Sequence, residues 1–353
     1  MYKKKNQEKE VIVAMGDTLL VPIDCGMSNL KSLLRLVGED KFKEFLFGSE
    51  VEKCESITGV TTYINDTAWN FGGFNGDSGK KVGEYENVFT KATEYHRALV
   101  RRYLYELYLQ TGFKKFEVII GASVDNFNVN QGKTVVDTML EEKGKPSKFK
   151  IREGLNSEIE LEIVDVIAQP ETASSLLSGS IKTNAAEQDL YLCDIGGLNN
   201  TVFVIREGKI DFTTDGVEVD IRGMLYAVKH IVAYYNRHNL KAKIKATRVE
   251  QILRKKIELD NTDEKLFQGA INEYMDTEFM PKLISRGFDS KYDCIEFVGG
   301  GATALERFLR KYCESKKIKV EISENAMFAT CKGMLKKVEM MKRLDIASVN
   351  GKR

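Results

Sequence analysis

Two copies of one short pattern, Asp24-Cys25-Gly26 and Asp194-Ile195-Gly196, each close an apolar run, and about half the chain lies between them. A carboxylate at the end of a buried strand, followed by a glycine-hinged turn, brings a negative charge and several backbone N–H groups to one point. Met with twice at this separation, the pattern calls for a duplicated design in which each half supplies one acidic turn. A third turn, Gly299-Gly300-Gly301-Ala302, follows the apolar run from Cys294 to Val298. The three turns together are expected to grip a nucleotide between two lobes.

A chain of 353 residues is long enough for two cores, because single cores stop growing near ~250–300 residues. Apolar periodicity predicts strands over 11–14, 19–24, 57–65, 116–121, 148–152 and 159–167, with a short helix from Glu171. A helix is predicted over 87–110, where Tyr95, Leu99, Tyr103 and Leu107 share one face and Gly112 closes it. The glycine-rich stretch from Trp69 to Tyr85 reads as a loop. In the second half, strands at 190–194, 202–206, 209–213 and 294–298 are joined by helices over 221–237 and 263–285. Strands alternating with helices give an α/β class. The first lobe is expected over 11–180, completed by a C-terminal helix over 334–348. The second lobe is expected over 181–333, after a polar leader at 1–10.

Composition removes several functions. Lys+Arg number 53 against 52 Asp+Glu, a net charge of +1, so no whole-molecule field attracts nucleic acid or anionic lipid. Neither direct nucleic-acid binding nor membrane association is expected. The six cysteines show no zinc-ligand spacing, the N-terminal decapeptide is charged, and no run of ~18 apolar residues occurs, which together predict a cytoplasmic protein.

In the first turn, Gly26 lets the main chain approach a phosphate, Met27 lies within it, Ser28 and Asn29 add donors, and Lys31 supplies a cation. Asp24 can hold Mg²⁺ through water, a mode of binding that takes one or two carboxylates plus phosphate oxygens. Taken alone, this turn also suits an ordinary β-hairpin; its companion argues otherwise. The second turn repeats the order, with Asp194 for the metal and Gly196, Gly197, Leu198, Asn199 and Asn200 for phosphate. The triplet Gly299, Gly300, Gly301 with Ala302 would lie against the nucleoside at a helix N-terminus. Neither GxxxxGK[ST] nor a strand-borne GxGxxG with a ribose-binding acid occurs, so this is neither a P-loop nor a Rossmann site.

The string Asp24-x-Gly26-x-Ser28-Asn29-x-Lys31, then Asp194-x-Gly196-Gly197, then Val298-Gly299-Gly300-Gly301-Ala302 resembles the actin, sugar-kinase and 70-kDa heat-shock ATPase superfamily. More narrowly it is similar to actin-like proteins of the plasmid-segregating ParM (StbA) type. The segment Ser323–Ala329 before Gly333 resembles the actin-like closing segment. The resemblance implies a two-lobed, duplicated ribonuclease-H-like fold with Mg²⁺-ATP in the cleft, GTP being the alternative nucleotide. It implies polymerisation into filaments that move plasmid DNA through a DNA-binding adaptor. It also implies a polar residue that orients the attacking water. Glu171 matches the ParM-like position, and Gln169 is its rival if actin's glutamine is the guide. Arg248 and Gln251 fall where relatives place adenosine contacts. After Gly197 this chain has Leu-Asn-Asn-Thr where many relatives have Thr-Thr-x-Asp, so Asn199 and Asn200 must serve as the donors.

The main competitor is a small-molecule kinase of the same superfamily, for which Asp66 or Asp125 would act as base. His96, His230 and His238 show no nucleophile partner. The basic amphipathic stretch from Met334 to Leu344 is expected to pack Leu335, Val338 and Met341 on the first lobe.

Overall fold

The computed structural model describes residue 14 and residues 16–350, apart from 27–28, 37–40, 55–60, 73–90, 124–129, 131, 143, 185–186, 212–216 and 240–241. The chain divides into two compact units, one running to Pro170 and resuming at Val338, the other Glu171–Lys337. The first crossing therefore falls at Pro170 and not near residue 180. The segment after it packs with the second unit, where Thr172 hydrogen-bonds Asp194.

The first unit holds β1 (Thr18–Cys25), β2 (Asn29–Arg35), β3 (Phe42–Gly48), β4 (Glu52–Lys53), β5 (Thr62–Ile64), β6 (Thr67–Asn70), β7 (Lys115–Ala122), β8 (Ser147–Glu153) and β9 (Ile159–Pro170). Among the described residues they form one nine-stranded sheet in the order β3-β2-β1-β7-β9-β8-β5-β6-β4. β1, β7 and β9 run parallel. Parallel strands covered on both faces need near-continuous apolar sequence, and Val118, Ile119 and Ile120 of β7 are all fully buried. Helix α1 (Glu94–Thr111) is capped by Thr93, whose side chain accepts the His96 N–H, and ends at left-handed Gly112. It starts later than the predicted 87, because Lys91–Thr93 are not helical. Helix α2 (Lys133–Leu140) was not predicted. Trp69 and Asn70, expected in a loop, close β6, with Trp69 buried in the core. Residues 73–85 of that loop lie outside the described residues.

The second unit holds β10 (Leu190–Ile195), β11 (Asn199–Arg206), β12 (Lys209–Ile210), β13 (Val217–Arg222), β14 (Cys294–Val298) and β15 (Lys319–Ile322). Their order is β12-β11-β10-β14-β15, with β13 paired to β11. This repeats β3-β2-β1-β7-β9 of the first unit. In both, a central strand has an antiparallel hairpin on one side and two parallel strands on the other. The duplication inferred from two tripeptides is thus present in the sheet topology.

Helices α3 (Met224–His238), α4 (Ala246–Leu253), α5 (Asn261–Tyr274), α6 (Met280–Ser285), α7 (Gly299–Ser315) and α8 (Ala329–Asn350) complete the chain. α3 starts after Gly223, since 217–222 are taken by β13. The single helix predicted over 263–285 is broken by a π turn, Met275–Phe279, that ends two residues before Pro281, which has no N–H for the helical ladder. The helix predicted from Glu171 is a 3₁₀ turn, Thr172–Ser178. α8 begins five residues ahead of Met334, and beyond Val338 it joins the first unit through Arg35–Glu339 and Lys342–Glu117 ion pairs.

Candidate functional site

The first acidic turn is the β1–β2 hairpin. Asp24 pairs with Lys31 and Cys25 with Leu30, and Gly26 N–H donates to the Asn29 carbonyl at 3.0 Å. Met27 and Ser28 lie outside the described residues. The Ser49 hydroxyl donates to the Gly26 carbonyl at 2.6 Å. Asp24 is 7 % exposed, and each of its oxygens meets an ammonium: Lys31 Nζ at 2.8 Å from Oδ2 and Lys91 Nζ at 3.4 Å from Oδ1. Burial opposes ionisation of Asp24, but the two lysines outweigh it and hold the carboxyl well below the usual carboxylate range. Lys31, expected as the phosphate cation, therefore also pairs with Asp24. Lys91 was not foreseen, because nothing in the sequence links it to a turn 67 residues earlier.

Register sets Gln169 on the same edge. Ile23 pairs with Ile120, Ile120 with Ala168, and Gly121 with Gln169, so the C-terminal ends of β1, β7 and β9 bring Asp24 and Gln169 to one level of the sheet. Ligands of open α/β sheets sit at that end. Gln169 is 4 % exposed, and its Oε1 has no hydrogen-bond partner among the described residues. A buried amide oxygen without a partner is costly unless something supplies a donor.

The second turn is the β10–β11 hairpin. The Thr172 hydroxyl donates to Asp194 Oδ2 at 3.1 Å. Carbonyls of Gly196, Gly197 and Leu198 accept from the N–H groups of Met224 (2.9 Å), Leu225 (2.9 Å) and Gly223 (2.8 Å). With its carbonyls stitched to the start of α3, the turn keeps the amides of Gly197 and Leu198 without an acceptor among the described residues. Such a pair of unpaired N–H groups is what an anionic oxygen needs. Gly223 makes the stitching possible: a Cβ there would stand 2.7 Å from the Gly196 carbonyl oxygen and 2.8 Å from the Asn199 nitrogen. Sequence reading missed it, since its reason is a contact with a turn far back in the chain. Asn199 is half-buried at the turn. Asn200 is not available as a phosphate donor: it is fully buried, and its Nδ2 donates to Tyr274 Oη (2.7 Å) and the Arg222 carbonyl (3.3 Å).

The glycine triplet forms the first turn of α7, directly after β14. Gly299 has φ +89°, and a Cβ on it would lie 2.1 Å from Asp194 Oδ1. A Cβ on Gly301 would lie 2.3 Å from the Ile195 side chain. Both residues let α7 close on the β10 turn, and Gly300 alone opens onto free space. Ala302 is fully buried, which removes it as a nucleoside contact. Arg248 and Gln251 are exposed on α4, whose Val249, Ile252 and Leu253 form its buried face. A groove that the sequence did not suggest runs beside α7, lined by Thr303, Glu306, Asn325 and Met327 among others.

Glu171 is half-buried at the head of the 3₁₀ turn, and the buried residue after it, Thr172, has φ +39°. A β-branched residue there is strained, a state that persists only where its surroundings impose it. Among the described residues no group of three or more His, Cys, Asp or Glu could hold a metal. Asp66 is exposed in the β5–β6 hairpin turn, and Asp125 lies outside the described residues. His96 is buried and held neutral, its pKa pushed down to about 3 by burial and by the charge of Lys91. All six cysteines are free, and burial pushes the Cys313 thiol up to about 12. No helix among the described residues is long and apolar enough to cross a membrane.

No protein-family model and no curated protein sequence matches this chain. Solved structures do. The crystal structure of the actin-like protein Alp7A aligns with a TM-score of 0.67 at 13 % identity, covering 94 % of this chain and 99 % of that one. Bacillus thuringiensis ParM with ATP aligns at 0.62 and 13 % identity, covering 93 % of this chain and all of that one. The filament structure of AlfA from B. subtilis plasmid pLS32 aligns at 0.56 and 13 % identity, covering 90 % and 98 %. The fold is the actin-like fold of the ParM, Alp7A and AlfA type, along nearly the whole chain.

Proposed function

We propose that this chain is an actin-like ATPase whose filaments form and turn over with its nucleotide, serving the segregation of plasmid DNA through a DNA-binding adaptor in the cytoplasm. One observation carries the proposal: the same hairpin, with an aspartate closing its first strand, occupies the same place in two sheets of the same strand order. The likeness to a ParM described with ATP and to AlfA described as a filament supports it.

In this reading both turns serve one nucleotide. The amides of Gly197 and Leu198 and the ammonium of Lys31 bind phosphate oxygens. Asp24 and Asp194 would hold a hydrated Mg²⁺, which neutralises charge on the phosphates. Gly300 offers the open approach for the nucleoside. Glu171 or Gln169 orients a water for in-line attack on the terminal phosphorus. The water's oxygen bonds to that phosphorus as the bond to the bridging oxygen breaks, leaving ADP and phosphate. A head-to-tail contact between copies is heterologous and does not close, so it extends into filaments.

Sedimentation with Mg-ATP, with Mg-ADP and without nucleotide tests this reading. Pelleting that depends on nucleotide is expected; no pelleting in any state, combined with ADP release that requires a sugar, would replace it with the kinase. Glu171→Ala is expected to slow hydrolysis about 100-fold with ATP affinity kept. Unchanged turnover would pass the role to Gln169.

A further inference from the structure

Of the non-glycine residues with positive φ among those described, Thr172 alone is β-branched. Its two Cβ substituents crowd the backbone in that region, where glycine or asparagine would sit at ease. The residue is 2 % exposed, so contacts and not solvent hold it there. The Ser175 hydroxyl donates to the Thr172 carbonyl at 2.5 Å. A Cβ on Gly333 of α8 would stand 1.7 Å from the Ser174 carbonyl oxygen, so the helix lies directly against the 3₁₀ turn. Backbone shape alone would be met better by glycine. What threonine adds is a hydroxyl on a stiff χ1, and that hydroxyl donates to Asp194 Oδ2 at 3.1 Å.

The other oxygen of the same carboxylate is also confined. Asp194 Oδ1 stands 2.1 Å from the place of a Cβ on Gly299, so the bare backbone of α7's first residue lies against it. One oxygen thus faces a backbone surface and the other takes a hydroxyl proton. The plane of the carboxylate is set before any ligand arrives. Thr172, Asp194, Gly299 and Gly333 all belong to the second unit.

We infer that Thr172 is a positioning residue of the second acidic turn: its strained backbone is retained because its hydroxyl fixes the orientation in which Asp194 meets a bound nucleotide. The inference rests on the nucleotide reading above and deepens it. A carboxylate left to rotate would have to be ordered on binding, and that ordering is subtracted from affinity, whereas a preset one avoids the loss. A strained conformation kept for such a purpose is how backbone outliers come to gather at functional sites.

The test measures affinity for Mg-ATP by competition with a fluorescent nucleotide, and unfolding midpoints without ligand. It compares wild type, Thr172→Val, Thr172→Ser, Thr172→Gly, Asp194→Ala and the Thr172→Val/Asp194→Ala double variant. Thr172→Val keeps the size and the branch but removes the donor, and is expected to weaken Mg-ATP about tenfold. Thr172→Ser keeps the donor and should stay within about threefold of wild type. Thr172→Gly removes donor and strain together, so it should bind as weakly as the valine protein and melt no lower than it. Adding Thr172→Val to Asp194→Ala should change affinity by less than about twofold, because no carboxylate is left to orient. A full further loss in the Asp194→Ala background would place the action of Thr172 elsewhere and overturn the inference. So would wild-type affinity in Thr172→Val, a loss that Thr172→Ser does not repair, or a glycine protein that melts below the valine protein. A wild-type protein that binds no Mg-ATP would sink the nucleotide reading itself, a result distinct from the others.

Discussion

Substituting Gly223 with alanine isolates the stitching of the second phosphate turn. The residue has φ −84° and ψ −159°, a conformation that alanine adopts freely, so any effect comes from contact and not from backbone preference. The added Cβ would sit 2.7 Å from the Gly196 oxygen, 2.8 Å from the Asn199 nitrogen and 2.8 Å from the Leu198 carbonyl carbon, all backbone atoms. Non-bonded heavy atoms prefer about 3.5 Å or more, so the turn and the start of α3 must part by roughly 0.7 Å. That breaks or lengthens the bonds from Gly223, Met224 and Leu225 to the turn carbonyls. Overpacking of this kind costs about 1–3 kcal/mol. In a unit of this size each kcal/mol lowers Tm by about 2–4 °C, so about 2 kcal/mol predicts a fall of roughly 4–8 °C. ATP affinity should fall about tenfold or more, because the Gly197 and Leu198 amides move with the turn. Circular-dichroism melting and fluorescence titration read the two effects, with Gly300→Ala, which meets no atom within 4 Å, as the control for the melting alone. A Gly223→Ala protein with wild-type Tm refutes the stitching. One with lowered Tm and unchanged ATP affinity refutes the assignment of this turn to phosphate.

The carboxyl of Asp24 lies below its unfolded value, so its stabilisation is present above about pH 4 and is lost as pH falls through the folded value. The unfolding midpoint of wild type should therefore drop on acidification from pH 5 to pH 2 more than that of Asp24→Asn, which at pH 7 should already be about 3–5 kcal/mol less stable because two ammonium groups lose this buried carboxylate; parallel acid profiles would dismiss the ion pairs as stabilising. Tyr274→Phe removes the hydroxyl shared by Asn200 and the Arg222 carbonyl and should cost about 1–3 kcal/mol in urea unfolding. A neutral result would mean that this buried triangle contributes nothing beside the turn.

Repetition along the chain was readable because it was written in local chemistry. Asp24-x-Gly26 and Asp194-x-Gly196 announced two equivalent hairpins, and the β7 and β14 strands stood out as apolar runs. The break in the helix predicted over 263–285 follows from Pro281, a signal that was present and outweighed by the periodicity of Phe267, Ile271 and Tyr274. The glycine triplet was legible as a join between a strand and a helix, but the reason for its glycines was not. Gly299 and Gly301 are explained by Asp194 and Ile195, more than 100 residues away. Asn200 misled for a similar reason: a hydrogen-bonding side chain in a turn motif looks like a donor until its pairing with Tyr274 is known. Lys91 and Gly223 were silent, since each owes its place to tertiary contact alone.

The missing side chain of Gly299 has a consequence for how this protein can change. The aspartate of one strand occupies the volume that any larger residue at the start of α7 would claim, so what stands at 299 is limited by what stands at 194. A substitution at 299 displaces the carboxylate before it disturbs the helix, and only a shorter residue at 194 could accommodate it. A side chain at 299 therefore needs a paired reduction at 194, and trading the glycine away would surrender the acid with it.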